Sequence, residues 1–210
     1  MLDEGSRRLS RRDLLGCAAV ALVSFLLLYG EARGLFALAA PQSRTPEEVL
    51  RECPANPPAK IVMVSPGEPG EPMVISGTIY GADGRTPLEG ARLYVYHTDA
   101  RGYYNPDGRM GPHPRLRGWM KTGADGRYEF RTIKPAPYPG RIIPAHIHPT
   151  VDGPGYPARW IAEYWFEGDP YLKSEDIAKN AGLGSFSAIV KLQRDTAGVL
   201  RGLRDIRLTR

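Results

Sequence analysis

Gly77-Thr78-Ile79-Tyr80-Gly81-Ala82-Asp83-Gly84-Arg85-Thr86-Pro87-Leu88-Glu89-Gly90-Ala91 reads as strand, turn, strand. Asp-Gly between β-type runs is the signature of a tight hairpin turn, whose central residues need positive φ. A second unit repeats the pattern at Lys121-Thr122-Gly123-Ala124-Asp125-Gly126-Arg127-Tyr128-Glu129-Phe130-Arg131-Thr132-Ile133. Further runs extend the series, giving expected strands at 73–80, 91–97, 127–132, 146–151, 159–166, 186–192 and 203–208. Only Ser174–Asn180 looks helical in this region. Many short strands with turns between them, and no alternating helices, indicate an all-β fold over 73–210. The expected architecture is a β-sandwich of mainly antiparallel short strands, with long loops and little helix.

Upstream, prolines dominate: Pro41, Pro46, Pro54, Pro57, Pro58, Pro66, Pro69 and Pro72 suit an extended arm over 41–72. Within it, Thr45-Pro46-Glu47-Glu48 has an N-cap, a first-turn proline and acids, which predicts a short helix to about Arg51. Residues 1–40 have the make-up of an export signal. Ser10-Arg11-Arg12-Asp13-Leu14-Leu15 is a twin-arginine pattern, followed by an apolar run from Leu14 to Tyr29 and a small-x-small site at Ala37-Leu38-Ala39. That apolar run is shorter than the roughly 20 residues of a comfortable membrane span. The expected location is periplasmic or extracellular, reached through the twin-arginine export machinery. Retention of the segment as an N-terminal anchor is the alternative.

The formal net charge is +5, with acids and bases interspersed. Such a small, scattered excess is no nucleic-acid footprint, which needs clustered Lys and Arg. Arg201, Arg204, Arg207 and Arg210 come nearest, but Asp205 interrupts them, and a solvated strand edge is expected. With the signal removed, Cys53 is the one cysteine left, so stability must come from the core rather than an intrachain disulfide.

Ile143-Pro144-Ala145-His146-Ile147-His148 carries two histidines one residue apart. On a strand both side chains point to one face, presenting two imidazoles to one point as a metal ion requires. A solvent-facing pair would alternate in the same way. Tyr104 and Tyr138 sit in punctuated turns upstream and suggest a nitrogen-and-phenolate site, although each tyrosine alone reads as a packing residue. Tyr103 should face away from Tyr104 on an extended chain, and His97 and His113 read as surface or pocket-lining residues.

The ordered set of Tyr104, Tyr138-Pro139-Gly140-Arg141 and Pro144-Ala145-His146-Ile147-His148 resembles the intradiol ring-cleavage dioxygenases, the family of protocatechuate 3,4-dioxygenase and catechol 1,2-dioxygenase. The likeness runs from about Met73 to Leu208 and includes Trp165-Phe166-Glu167-Gly168-Asp169-Pro170 and the closing Gly198–Leu208. The resemblance implies a mononuclear non-haem Fe(III), with Tyr104 and His148 equatorial and Tyr138 and His146 axial. It also implies a catechol-type substrate, O2 as co-substrate and a muconate-type diacid as product. Hard phenolates favour a trivalent ion, and imidazoles complete the site without overcharging it. Two phenolates leave Fe(III) with one positive charge, and a catecholate dianion would carry the site to −1. Release of Tyr138 as a phenol restores neutrality, so Tyr138 is implied to be both ligand and catalytic base. Export of a folded protein would also allow iron to be inserted away from competing copper and zinc.

Three positions depart from the family pattern. Ile143 stands where an arginine usually precedes the histidine run, Glu163 where a glutamine usually lines the pocket, and Gly140 where an aromatic usually follows Tyr-Pro. Loss of a cation and gain of a carboxylate should disfavour anionic substrates, unless Arg115, Arg117, Arg141 or Arg159 supplies charge from elsewhere. Arg141 is expected mainly to anchor a carboxylate or a loop. Ile143 keeps open a second class of function, a sandwich of the same ancestry that binds metal or a catechol without turnover. A homo-oligomer is compatible with the sequence.

Overall fold

The computed structural model describes residues 44–109 and 113–210; Arg11, Arg12 and the expected signal or anchor at 1–40 lie outside them. One sheet contains β1 (Lys60–Val62), β2 (Pro72–Tyr80), β5 (Arg127–Ile133), β10 (Gln193–Arg194) and β11 (Leu200–Leu203), in the order β1-β5-β2-β11-β10, with β12 (Ile206–Arg207) also pairing with β2. The other contains β3 (Arg92–His97), β4 (Leu116–Lys121), β6 (Ile147–Gly153) and β7 (Tyr156–Trp160), in the order β4-β3-β6-β7. A small third pair joins β8 (Trp165–Phe166) to β9 (Ile189–Val190). The longest pairings, β2–β5, β3–β4 and β3–β6, are antiparallel, whereas β1, β8, β11 and β12 pair in parallel.

Met73, Ile75, Ile79 and Phe130 of the first sheet meet Leu93, Val95, Met120, Ile147 and Val151 of the second in one buried cluster. That is the expected sandwich core, and each such side chain contributes roughly 1.5–3 kcal/mol on burial. Strand alternation gives β3 a second function. While Leu93 and Val95 enter the core, Tyr94 packs on the outer face against Val49 and Leu50 of helix α1 (Pro46–Arg51). The capping box of α1 is complete: the Glu48 amide donates to Thr45 Oγ1 at 3.2 Å, and the Thr45 amide donates to Glu48 Oε2 at 2.8 Å. Helix α2 (Ser174–Asn180) forms where expected but buries none of its residues.

Several elements differ from the sequence reading. The Pro-rich stretch is no free arm from Arg44 onward, because α1 and β1 both pack on the sandwich. Strand β4 was hidden by its composition, in which Arg117, Gly118 and Lys121 dilute the apolar alternation. Gly118 leaves room for Ile61 of β1, whose Cδ1 would have to move away from a Cβ placed there. The run 159–166 splits into β7 and β8 around a loop, and 186–192 and 203–208 reduce to shorter strands. The Asp83-Gly84 turn closes only a single bridge, Tyr80 to Pro87, and Asp125-Gly126 carries the chain from one sheet to the other. Arg204, expected at a solvated edge, is 4% exposed and lies over the Tyr164 ring, 4.3 Å from its centroid.

His97 also departs from its expected surface position, because the period of β3 turns it inward, opposite Ile147. It is fully buried, 2.6 Å from both the Thr98 carbonyl and Thr132 Oγ1. A carbonyl only accepts, so Nδ1–H donates to it and Nε2 accepts from the threonine, which satisfies the neutral ring. Burial lowers its pKa from the ordinary 6.5 to about 4. The unfolded chain therefore takes up a proton that the fold refuses, and stability falls as pH drops from about 6.5 to about 4, by up to roughly 3 kcal/mol. Urea titrations across this range should show that loss in the wild type and a flatter profile in His97→Gln.

Candidate metal centre

The site lies on the outer face of the second sheet. Tyr96 on β3 is directly opposite His148 on β6, and the two rings stack 4.6 Å apart. His146 is one period of two earlier, just before β6, and so shares that face with His148. Ile147, between them, points into the core, and its backbone exchanges two hydrogen bonds with Tyr164, of 3.1 and 2.9 Å. Downstream, the Asp169 carboxylate accepts from the Ala145 amide at 3.0 Å and from the Tyr171 amide at 2.9 Å, fixing the chain as it enters His146.

The tyrosines come from two loops laced together by backbone contacts. Asp99 organises the turn after β3, its Oδ1 accepting from the Arg101 and Tyr103 amides at 2.9 and 3.0 Å. The Asp99 carbonyl accepts from the Ala136 amide at 3.2 Å, and Thr98 Oγ1 donates to the Ala136 carbonyl at 2.7 Å. Gly102 lies at φ +86, and a Cβ there would sit 2.2 Å from the Pro137 carbonyl oxygen. The chain thus needs glycine both for its conformation and for its approach to the Tyr138 loop. Tyr103 faces outward at 37% exposure, and Tyr104 is buried, as alternation requires.

All four expected donors converge. Tyr104 Oη hydrogen-bonds Tyr138 Oη and lies 2.9 Å from His148 Nε2. Tyr138 Oη is 3.0 Å from His146 Nε2 and 3.2 Å from His148 Nε2, and the two Nε2 atoms are 3.0 Å apart. Donors at right angles around an ion about 2.0–2.1 Å away would be about 2.9 Å from one another, so these spacings suit a first-row metal, although at 3.0 Å Tyr138 and His146 are neighbours and not the opposed axial pair that the resemblance implies. His146 Nδ1–H donates to the Pro144 carbonyl at 2.6 Å, leaving the Nε2 lone pair to face the cluster. Burial, with His146 alongside, pushes the His148 pKa down to about 3, so its ring is neutral and ready to ligate. Burial raises both phenols, and Tyr104 is raised further by its hydrogen bond to Tyr138. A cation is what would release those protons. Among the described residues no group of three or more His, Cys, Asp and Glu is gathered for a metal, so the fit depends on the phenols.

The remaining expected residues are placed less uniformly. Glu163 Oε1 lies 3.8 Å from His148 Nδ1, close but beyond hydrogen-bonding distance. Ile143 is half-buried and Ile142 beside it is 83% exposed. Arg141 is exposed and, among the described residues, forms no ion pair, although its charge favours ionised Tyr138. Of the other candidate cations, Arg115 pairs with Glu68, Arg117 donates to the Pro114 carbonyl and Arg159 donates to Thr209. His113 is half-exposed, 3.2 Å from Arg44 Nη1. Tyr96 and Asp169 were not singled out as site residues; the signal for Tyr96 was its strand period opposite a histidine.

Gly102→Ala should part the two loops and separate the phenols. The expected outcome is a loss of roughly 2–4 kcal/mol in chemical denaturation and a several-fold fall in bound metal per chain. Unchanged metal content would contradict this account of the lacing.

Residues 52–202 match the family model Dioxygenase_C, described as a dioxygenase. The hydroxyquinol 1,2-dioxygenase of Rhizobium sp. (strain MTP-10005) is 32% identical over 144 residues, covering 60% of this chain and 48% of the relative. The protocatechuate 3,4-dioxygenase beta chain of Burkholderia cepacia is 33% identical over 125 residues, covering 54% and 53%. The chain spans about half the length of these curated relatives. Among solved structures, the dioxygenase domain of a dioxygenase carbohydrate-binding protein fusion from Streptomyces sp. SirexAA-E aligns with a TM-score of 0.55 at 29% identity, covering 74% of this chain and 90% of that one. With its sandwich and its Tyr104, Tyr138, His146 and His148 cluster, the chain belongs to the intradiol ring-cleavage dioxygenase family.

Proposed function

We propose that this protein is an exported non-haem Fe(III) intradiol dioxygenase that opens a catechol-type ring between its two hydroxylated carbons. The convergence of two phenol oxygens and two imidazole nitrogens, each within about 3.2 Å of at least two of the others, is the observation that carries this reading. Tyr104 Oη, Tyr138 Oη, His146 Nε2 and His148 Nε2 would hold the iron. When bound, ferric iron would chelate both catechol oxygens and make the ring reactive towards O2. Addition of both atoms of O2 to catechol accounts for every atom of the muconate-type diacid, so no outside reductant is consumed.

The chain's own residues supply binding and proton movement. Tyr138 is on a loop bordered by the exposed Arg141 and Ile142, so it is the phenol with room to move as substrate enters. Its Oη, freed as phenolate, takes a proton from an entering catechol hydroxyl. Tyr104 is more deeply set, with its ring 5.7 Å from that of Tyr96, and stays in place. His146 is held through the Pro144 carbonyl, and His148 by the Tyr96 stack, so neither imidazole has to reorganise.

Iron-loaded protein should be coloured by phenolate-to-iron charge transfer and should consume about one O2 per catechol. Tyr138→Phe should keep iron while losing at least 100-fold in turnover. Colour shifts on adding catechols without oxygen uptake would instead support a binding module. A colourless iron-loaded protein would remove the phenolates from the site. For export, Arg11→Lys with Arg12→Lys should leave the protein in the cytoplasmic fraction, against a periplasmic or secreted wild type.

A further inference from the structure

Glu163 borders the four donors, and among the described residues no Lys or Arg forms an ion pair with it. Its Oε1 lies 3.8 Å from His148 Nδ1, and the side chain remains 38% exposed, so it borders the cluster and faces solvent at once. Its negative charge opposes ionisation of Tyr96, Tyr104 and Tyr138, while the Arg141 charge favours ionised Tyr138. Arg115, Arg117 and Arg159 are engaged elsewhere, by Glu68, by the Pro114 carbonyl and by Thr209.

We infer that Glu163 sets the charge class of the substrate: the site takes catechols whose ring substituent is cationic or neutral, and discriminates against those carrying a carboxylate. A catechol held at the four donors brings its substituent towards the opening, where Glu163 provides a counter-charge for an ammonium group and repulsion for a carboxylate. Like-charge juxtaposition in a partly desolvated site is a common source of discrimination between otherwise similar ligands.

This inference rests on the catechol-binding reading above. The test is anaerobic calorimetry on the iron-loaded full chain with three probes: catechol, 3,4-dihydroxybenzoate and 4-(2-aminoethyl)catechol. The wild type should bind the cationic probe about tenfold or more tighter than the anionic one, with catechol between them. Glu163→Gln should reduce that ratio at least fivefold, while Arg141→Gln should widen it; comparing variants cancels the probes' intrinsic differences in chelation. The ratio should also shrink with added salt, which a merely structural role for Glu163 would not produce. Equal binding of all three probes, or an unchanged ratio in Glu163→Gln, overturns the inference and leaves the catechol site standing. Failure of every probe to bind overturns both.

Discussion

Two phenols and two imidazoles are held so that each lies within hydrogen-bonding distance of at least two of the others, and most of the local architecture serves that convergence. Gathering these groups away from water is costly unless their polar atoms are satisfied. The outer nitrogen of His146 is satisfied by a fixed carbonyl, and His148 is stacked on Tyr96. The inner atoms face one another. A cation resolves that arrangement better than hydrogen bonds can, because two neutral imidazoles and two phenols offer few protons and many lone pairs to one small volume.

The sandwich provides rigidity and the loops provide the ligands. Strand β6 carries the histidines, with Ile147 in the core and Tyr164 paired to its backbone. The Asp99 turn and the Ala136–Pro137 segment interlock, so neither tyrosine loop is positioned alone. Tyr138 has the greater freedom, since the chain beyond it runs through Gly140 and exposed Arg141 and Ile142 before Asp169 fixes Ala145. A fixed phenol and a movable one suit a centre that must both retain a metal and accept a proton.

Much of this was legible in the residues. The alternating runs, and the N-cap, proline and acids at Thr45–Glu48, point to the sandwich and to α1, because each is a local signal with a local cause. Tyr104, Tyr138, His146 and His148 were legible as an ordered set, though no single one of them identifies a site. What escaped depended on partners far along the chain. Strand β4 sends only Leu116 and Met120 into the core, and β1 is an edge strand whose partner, β5, lies some seventy residues later. His97 read as a surface or pocket-lining residue because the partner of its Nε2, Thr132, is visible only once β3 and β5 are brought together. Arg204 was misplaced for the same reason: its aromatic platform, Tyr164, is forty residues upstream.

Charge around the opening is where this chain departs from the pattern it otherwise follows. Ile143 provides no cation, Glu163 adds a carboxylate, and the Arg141 charge favours the ionised form of the movable phenol. The centre itself is unaffected by these changes, since its donors and their supports are complete. Iron K-edge X-ray absorption on the loaded protein tests that centre most directly. The account predicts a ferric edge, a first shell of oxygen and nitrogen donors and the outer-shell scattering of two imidazoles, with one oxygen donor lost in Tyr104→Phe. Iron without imidazole scattering, or a spectrum unchanged in Tyr104→Phe, would contradict it.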